Sequence, residues 1–164
     1  MKKYLLVATK GELRLPWAEC ERNEREVIVT GVGGANVIRA LRDLPRNSDI
    51  LNVGWCGSAH FPIGFVVWVR DCRLWHPGVN YKEPTFQIND WGNALCLTAG
   101  DFLVDGSGLP ARSVVDMELA YIAAFGFAKL SAVKVVSDSC DLSEYERTTK
   151  TPGDNAPGAE NKTK

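Results

Sequence analysis

Residues 113–141 read SVVDMELAYIAAFGFAKLSAVKVVSDSCD, and this stretch contains the structural unit that decides the fold. Ser113–Val115 is short and apolar, which predicts a buried strand. Glu118–Phe127 is rich in alanine and predicts a helix that packs closely on a sheet. Ala132–Val136 is again strongly apolar and predicts a second buried strand. A strand, a helix and a strand in this order are typical of α/β proteins.

The same alternation extends toward the N-terminus. A helix is predicted at Ala35–Leu44, where apolar residues recur at helical spacing until Pro45. The alternation predicts an α/β fold with three layers, in which a central, mostly parallel mixed sheet lies between helices (α/β/α). The further predicted strands are Tyr4–Thr9, Glu26–Thr30, Asp49–Val53, Gly64–Leu74, Phe86–Asn89 and Ala94–Thr98.

Length and composition fit one domain. The chain has 164 residues, of which 45% are hydrophobic and 24% charged, and this size can bury a substantial core. We expect the domain to span 1–146. Residues 147–164 contain almost no apolar side chains, so we predict a disordered tail there. The net charge of −1 gives no electrostatic reason to expect binding to nucleic acid or to an anionic membrane.

Signals for export and for metal binding are not found in the sequence. The apolar run Tyr4–Ala8 is too short for a signal peptide, and no stretch approaches the roughly 20 apolar residues that span a bilayer. We therefore expect a cytoplasmic protein. The five cysteines include no CxxC pair, so free thiols are expected and a zinc site is not. No metal or cofactor is expected.

Glycines and acidic residues follow five of the predicted strands. The carboxyl ends of parallel strands meet at one edge of a sheet, and α/β sheets bind their ligands at that edge. We therefore expect these segments to converge on one site. They are Glu12, Gly31–Gly34, Gly54–Gly57, Asp116 with Glu118, and Ser137 with Asp138.

Each acid has a structural and a functional interpretation. Asp116 and Glu118 could cap the helix that follows them, Asp138 could stabilise a turn, and Glu12 could be a surface residue. In the functional interpretation, Glu118 accepts hydrogen bonds from ligand hydroxyls and Glu12 orients and deprotonates a water. Asp138 then protonates a departing base, a role that requires a raised pKa of the kind a dry pocket supplies.

The glycines of the second segment allow two interpretations. Gly31-x-Gly33-Gly34 resembles half of a dinucleotide-binding fingerprint, but Asn36 occupies the position of the third glycine. The segment also follows the second predicted strand instead of the first. We interpret it as a tight turn that brings the backbone near a ligand, with a dinucleotide site as the alternative.

Two motifs and their order resemble a known family. Val115–Glu118 stands before an alanine-rich helix, and Val135–Asp141 follows one helix and one strand later, as in the purine nucleoside phosphorylase and nucleosidase superfamily. The nearest branch is the methylthioadenosine/S-adenosylhomocysteine nucleosidases, because Glu12 stands where those hydrolases carry the acid that activates water. Further segments resemble the family in the same order, namely Thr30–Gly33, Asn52–Gly57, Ile63–Val67 and Ala99–Phe102.

The resemblance implies a nucleoside phosphorylase-like fold, a purine nucleoside substrate, water as the nucleophile and a homo-oligomer. It implies that Asp138 protonates N7 of the purine, Glu118 binds the ribosyl hydroxyls and Glu12 delivers the water. Met117 would pack on the sugar, and Ser137 would orient Asp138 or the base. Phe102 or Leu103 would contact the purine, with further substrate contacts from Asp116, Trp55, Cys56 and Gly57.

A phosphorylase is the alternative within the same family. Family phosphorylases carry an arginine-containing loop near the N-terminus and an Arg-x-Gly-Ser/Thr segment, where this chain has Asn52 and Trp55. An indole cannot replace a hydroxyl donor to phosphate, so the sequence favours water. A catalytically degenerate nucleoside-binding protein is a third possibility.

Overall fold

The structure, a computed structural model, describes residues 1–76 and 85–150. The strands are β1 (Lys3–Val7), β2 (Glu26–Val29), β3 (Asp49–Gly57), β4 (Val66–Trp75), β5 (Phe86–Gln87), β6 (Ala94–Ala99), β7 (Ser113–Asp116) and β8 (Lys129–Asp138). The helices are α1 (Pro16–Glu21), α2 (Gly34–Leu41), α3 (Leu119–Ala124) and α4 (Leu142–Thr149), with a 3-10 helix over Lys10–Arg14.

Each predicted strand and both predicted helices have a counterpart in the structure. The main differences are that β3 runs four residues further, to Gly57, and that the 3-10 helix, α1 and α4 are additional. Helix α4 covers the first three residues of the predicted tail, 147–149. The last 14 residues of that tail, 151–164, lie outside the described residues.

The strands form one mixed sheet, so the α/β class is confirmed. The parallel pairs are β1–β2, β1–β3, β3–β8, β4–β6 and β6–β7. The antiparallel pairs are β3–β7, β4–β5 and β4–β8. These pairings join β3, β8, β4, β6 and β7 into a closed ring, from which β1 and β2 extend beside β3. The apolar pattern of the sequence does not predict this closure.

The ring brings the carboxyl ends of strands from both directions together. Strands β3 and β7 run antiparallel, and their register contains a single pair, Gly57 with Val115, near the carboxyl end of each strand. Strand β8 runs beside β3 and pairs Asp138 with Gly57 across a register shift. The segments that follow β3, β7 and β8 therefore meet at one place.

The two faces of β1 pack against different helices. Because strand side chains alternate, Tyr4 and Leu6 lie in one core cluster with residues of α2 and α3, whereas Leu5 and Val7 lie in another with residues of α1. Leu5, Leu6 and Val7 are fully buried, and burial stabilises the fold by about 1.5–3 kcal/mol per side chain of this size. Strand β1 is thus fixed on both faces, which fixes the segment that follows it.

In the ranges 1–76 and 85–150, no helix combines the length and the apolar character needed to cross a membrane. All five cysteines are free thiols, as expected, and four of them are buried.

Candidate active site

One cavity lies where the carboxyl ends of β1, β3, β6, β7 and β8 meet. All eleven residues that the sequence predicts for the site lie on its wall: Glu12, Trp55, Cys56, Gly57, Phe102, Leu103, Asp116, Met117, Glu118, Ser137 and Asp138. The structure thus brings them together, while their individual roles stay predictions. Seven further residues complete the wall: Ala8, Thr9, Val32, Asp101, Val115, Cys140 and Tyr145.

Glu12 is held by backbone amides. The 3-10 helix after β1 turns its side chain back, so that Oε2 accepts hydrogen bonds from the amides of Ala8 at 2.6 Å and Thr9 at 3.1 Å. Oε1 accepts from the amide of Trp55 on β3 at 3.0 Å. Burial raises the pKa of Glu12, while these hydrogen bonds and the charge of Lys134 oppose the rise. A buried carboxylate with a raised pKa is a stronger base than an exposed one.

Asp138 lies at the end of β8 and is 1% exposed. Its Oδ2 accepts a hydrogen bond from Ser137 Oγ at 2.6 Å, and its Oδ1 accepts one from the amide of Cys140 at 2.8 Å. Cys140 has a φ of 66°, in the left-handed region that few non-glycine residues adopt, and its amide reaches back to the carboxylate. Burial raises the pKa of Asp138, and these hydrogen bonds only partly offset the rise.

The hydroxyl of Ser137 can serve both protonation states of Asp138. Ser137 Oγ lies 2.6 Å from Asp138 Oδ2 and 3.1 Å from the carbonyl oxygen of Cys56, but it has one proton to donate. When Asp138 is ionised, that proton goes to Oδ2. When Oδ2 is protonated, it donates to Ser137, and Ser137 donates to Cys56. The pair therefore accommodates an acid that gains and loses a proton.

Close packing around Asp138 explains a glycine in the wall. A Cβ added to Gly57 would lie 2.8 Å from Asp138 Oδ1, closer than real Cβ atoms approach a neighbour. The absence of a side chain at this position therefore leaves room for the carboxylate.

Glu118 links the end of β7 to the glycine turn before α2. Its Oε1 accepts a hydrogen bond from the amide of Gly33 at 2.8 Å. Burial and the nearby charge of Asp116 raise the pKa of Glu118 to about 7. Because a carboxylate already occupies the Gly33 amide, which a dinucleotide phosphate would need, the contact disfavours the dinucleotide alternative.

The oxygens of Asp116 are engaged within the protein. Oδ1 accepts from Thr98 Oγ1 at 2.7 Å, and Oδ2 accepts from the amide of Leu119 at 3.0 Å. Oδ2 also forms an ion pair with Lys134 Nζ at 2.7 Å. Asp116 therefore accepts from the first amide of α3, as the structural interpretation expects for an acid at a helix start, and its predicted contact with substrate stays a prediction.

Two aromatic rings that are far apart in the sequence lie together on the cavity wall. The rings of Phe102, after β6, and Tyr145, on α4, have centroids 5.4 Å apart and planes tilted by 59°. This is a favourable geometry for an aromatic pair. Since both residues line the cavity, they present an apolar surface on which a planar ring could pack.

The charged side chains on the described part of the cavity wall are all acidic. Five carboxyl side chains lie on it: Glu12, Asp101, Asp116, Glu118 and Asp138. Among the described residues, no lysine or arginine lies on the wall. No group of three His, Cys, Asp or Glu residues in the described ranges is arranged to hold a metal ion. The wall suits a neutral or cationic ligand better than an anion.

Comparison of the fold with solved structures connects this geometry to known proteins. The chain is similar to an MTAN from Chlamydia trachomatis bound to MTA, with a TM-score of 0.71 and 19% identity over 91% of this chain and 90% of that chain. The chain has the nucleosidase fold. The family resemblance drawn from the sequence is therefore confirmed at the level of the fold.

Other solved structures with the nucleosidase fold give the same result. A 5′-methylthioadenosine/S-adenosylhomocysteine nucleosidase from Neisseria meningitidis matches with a TM-score of 0.68 and 16% identity, over 91% of this chain and 92% of that chain. The futalosine hydrolase of Helicobacter pylori matches with a TM-score of 0.68 and 14% identity, over 91% of each chain. No family model matches the sequence, and no curated protein sequence is significantly similar to it.

The wall residue Tyr145 belongs to a helix that apolar periodicity does not reveal. A capping signal was nevertheless present in the sequence. Asp141 is followed three residues later by Glu144, which is a pattern typical of a helix start, and in the structure the Asp141 side chain accepts from the Glu144 amide. This signal would have placed Tyr145 in the first turns of a helix directly after the Asp138 motif.

Proposed function

We propose that this protein is an N-ribosyl hydrolase that cleaves the N-glycosidic bond of a purine nucleoside to release free base and sugar. The substrate we propose is methylthioadenosine, S-adenosylhomocysteine or a related nucleoside. The observation that carries the proposal is that Glu12, Glu118 and Asp138 share the wall of one cavity. The nucleosidase fold supports it, since the Chlamydia trachomatis MTAN with this fold has been solved with MTA and with adenine.

Asp138 is the proposed general acid. It would donate a proton to N7 of the purine, so that the base leaves with the electron pair of the broken C1′–N9 bond. Its burial favours the protonated form, and Ser137 can accept a hydrogen bond from a protonated Oδ2 while it donates to Cys56. Phe102 and Leu103 are proposed to contact the purine ring from the loop after β6.

Glu118 is the proposed sugar-binding acid. It would accept hydrogen bonds from the ribosyl hydroxyls, and its negative charge would stabilise the positive charge that develops on the sugar as the base departs. Met117 would pack on the sugar from the neighbouring position on the wall. The acidic wall is suited to a cationic transition state for the same electrostatic reason.

Glu12 is the proposed base for the attacking water. Glu12 would accept a proton from a water that attacks C1′. Asp138 would supply a proton to the departing purine on the other side. The amides of Ala8, Thr9 and Trp55 hold the Glu12 carboxylate in a fixed orientation. A fixed orientation of this kind is what a positioned water requires.

The charge of the wall favours water over phosphate as the nucleophile. A phosphate anion would have to enter among five carboxyl groups, with no lysine or arginine on the described part of the wall to balance it. The Gly33 amide, a donor that could otherwise bind an anion, is occupied by Glu118. These contacts support a hydrolase in preference to a phosphorylase.

The proposal is tested by incubating the protein with a panel of purine nucleosides and following the free base by chromatography. We expect base release without added phosphate. Release that depends on phosphate would indicate the phosphorylase instead. A melting temperature that rises with nucleoside in the absence of base release would indicate a degenerate binding protein, and folded protein with neither effect would contradict the proposal.

We also propose the finer features that the sequence predicts. These are a three-layer α/β/α arrangement, one domain over 1–146 followed by a tail, a cytoplasmic location and a homo-oligomer. The packing of alternate β1 residues against different helices supports the layers, and the five free cysteines support a reducing compartment.

A further inference from the structure

A lysine lies buried beneath the acids of the cavity. Lys134 is in the middle of β8, and its side chain is 1% exposed. Its Nζ lies 2.7 Å from Asp116 Oδ2, whose side chain is fully buried. Lys134 does not lie on the cavity wall, so it is not placed to touch a substrate. An ammonium ion costs much free energy to bury, and a carboxylate partner alone often does not repay that cost.

The ammonium group lies close to Glu12 as well as to Asp116. A Cβ placed on Gly54 would lie 3.4 Å from Lys134 Nζ and 3.0 Å from Glu12 Oε1. The cation and the proposed catalytic base therefore flank the same glycine of β3. Because Gly54 has no side chain, it places no atoms between Lys134 Nζ and Glu12 Oε1.

We propose that Lys134 is a positioning residue whose buried positive charge, anchored on Asp116, keeps Glu12 ionised and ready to accept a proton from water. This inference rests on the proposed function for its catalytic meaning. The electrostatic part, which concerns the charge of Glu12, does not depend on the proposed function. Lys134 would act through Glu12 and would not itself contact the reacting atoms.

Lys134 is surrounded by acidic groups, whose negative charges its ammonium balances. Burial acts to lower the pKa of Lys134, but the charges of Asp116 and its other neighbours outweigh this and raise it. The ammonium therefore stays charged near neutral pH. The groups that face it are Asp116 on β7, Glu118 before α3, Glu12 on the 3-10 helix, Cys96 on β6, Cys56 on β3 and Cys72 on β4.

The groups around Glu12 show in which direction Lys134 shifts the pKa of Glu12. Burial raises the pKa of each of the three cysteine thiols near Lys134, so they are neutral and do not compete for its charge. Glu118 and Tyr145 also interact with Glu12, and the charge of Lys134 opposes the rise in the pKa of Glu12. Removal of the cation should therefore make Glu12 take up a proton at higher pH.

The test compares Lys134→Met with Lys129→Met as a matched control. Lys129 lies on the same strand, but its side chain is 62% exposed. The pKa of Glu12 is measured by ¹³C NMR titration of the side-chain carboxyls, with Glu12→Gln to assign the resonance. We expect Lys134→Met to raise the pKa of Glu12 by about one to two units, as for unit charges a few ångströms apart inside a protein, and Lys129→Met to leave it unchanged.

A double variant keeps the test valid if Lys134→Met fails to fold. Lys134→Met with Asp116→Asn removes both buried charges; the asparagine carbonyl can still accept from the Leu119 amide, and its NH₂ can donate to Thr98 Oγ1. Lys134 Nζ lies beside Gly54 with Glu12, and the loss of the Asp116 charge 2.7 Å from it offsets only part of the loss of the cation, so the pKa of Glu12 should still rise, by less than in the single variant. If Glu12 titrates as in the wild type in the folded single or double variant, the inference is overturned.

Activity measurements separate this inference from the proposed function. If the wild type releases base, the acid limb of its pH–rate profile should move to higher pH in the Lys134 variants, and Lys134→Arg should keep it in place. A shifted titration in a protein without nucleosidase activity would uphold the charge role of Lys134 and contradict the proposed function. An unchanged titration of Glu12 in an active enzyme would uphold the proposed function and contradict the charge role of Lys134.

Discussion

Asp138, Glu12 and Glu118 are buried, and each carboxylate accepts hydrogen bonds from backbone amides or a hydroxyl. Burial raises the pKa of each of these acids, which is the property that general acid–base chemistry near neutral pH requires. At the scale of single residues, the proposed mechanism therefore depends on how water is excluded and on which donors are aimed at each oxygen.

Asp138→Asn tests the general acid. We expect the variant to fold but to lose at least about 100-fold in kcat, because an amide cannot donate a proton to the leaving base. Asp141→Asn is the control, since that aspartate is exposed and asparagine also caps helices. Steady-state rates and circular dichroism on both variants check this, and full activity in Asp138→Asn would remove it from the role of proton donor.

Glu12→Gln tests the base. We expect hydrolysis to fall by at least about 100-fold while adenine still raises the melting temperature. The variant should also lose about 1–3 kcal/mol of stability, because the new amide NH₂ would face a backbone N–H donor of Ala8, Thr9 or Trp55. Rates and urea unfolding are compared with Glu19→Gln, an exposed glutamate, and unchanged hydrolysis would contradict the assignment.

The strands and two of the helices could be predicted from the sequence because their apolar residues recur at the periods of regular elements. Strands β3 and β8 are buried along most of their length and appear as apolar runs. The 3-10 helix, α1 and α4 have five to eight residues, and at most one residue of each is buried, so no apolar periodicity marks them. They are defined by their end signals, such as Pro16 at the start of α1.

Asp141→Ala tests whether α4 serves the cavity. The substitution removes the acceptor for the Glu144 amide at 2.9 Å, so the helix that carries Tyr145 should be less stable. We expect KM to rise several-fold with a smaller change in kcat, since Tyr145 lies on the wall but has no proposed part in the chemistry. The control Glu146→Ala, an exposed residue of the same helix, should leave KM unchanged. An unaltered KM in Asp141→Ala would show that α4 does not contribute to binding.

The convergence of the site, a property of the whole molecule, could be predicted from the sequence only in part. The rule that ligands bind at the carboxyl ends of strands placed the acids together. It did not reveal that β3, β8, β4, β6 and β7 close into a ring, because a ring depends on pairings between strands far apart in the chain. Nor did it reveal Lys134 beneath the site, since a lysine within an apolar strand gives no sign of its burial or of its partner.

The stability of the whole molecule should depend on pH through Glu118. Its pKa is raised in the folded state from 4.5 to about 7, so the folded state binds the proton more tightly than the unfolded state. The stabilisation is present in full below about pH 4.5 and is lost as the pH rises through 7, by about 3 kcal/mol in total. Urea unfolding between these values should show this decrease in the wild type and a smaller one in Glu118→Gln. A stability that rises over this range would contradict the assignment.

The most direct measurement is a crystal structure of the Asp138→Asn variant with methylthioadenosine bound. It should show N7 of the purine within about 3.2 Å of the residue 138 side chain, the ribosyl hydroxyls on Glu118, and a water between C1′ and Glu12. A nucleoside bound outside this cavity, or inside it with the sugar turned away from Glu12 and Glu118, would contradict the account.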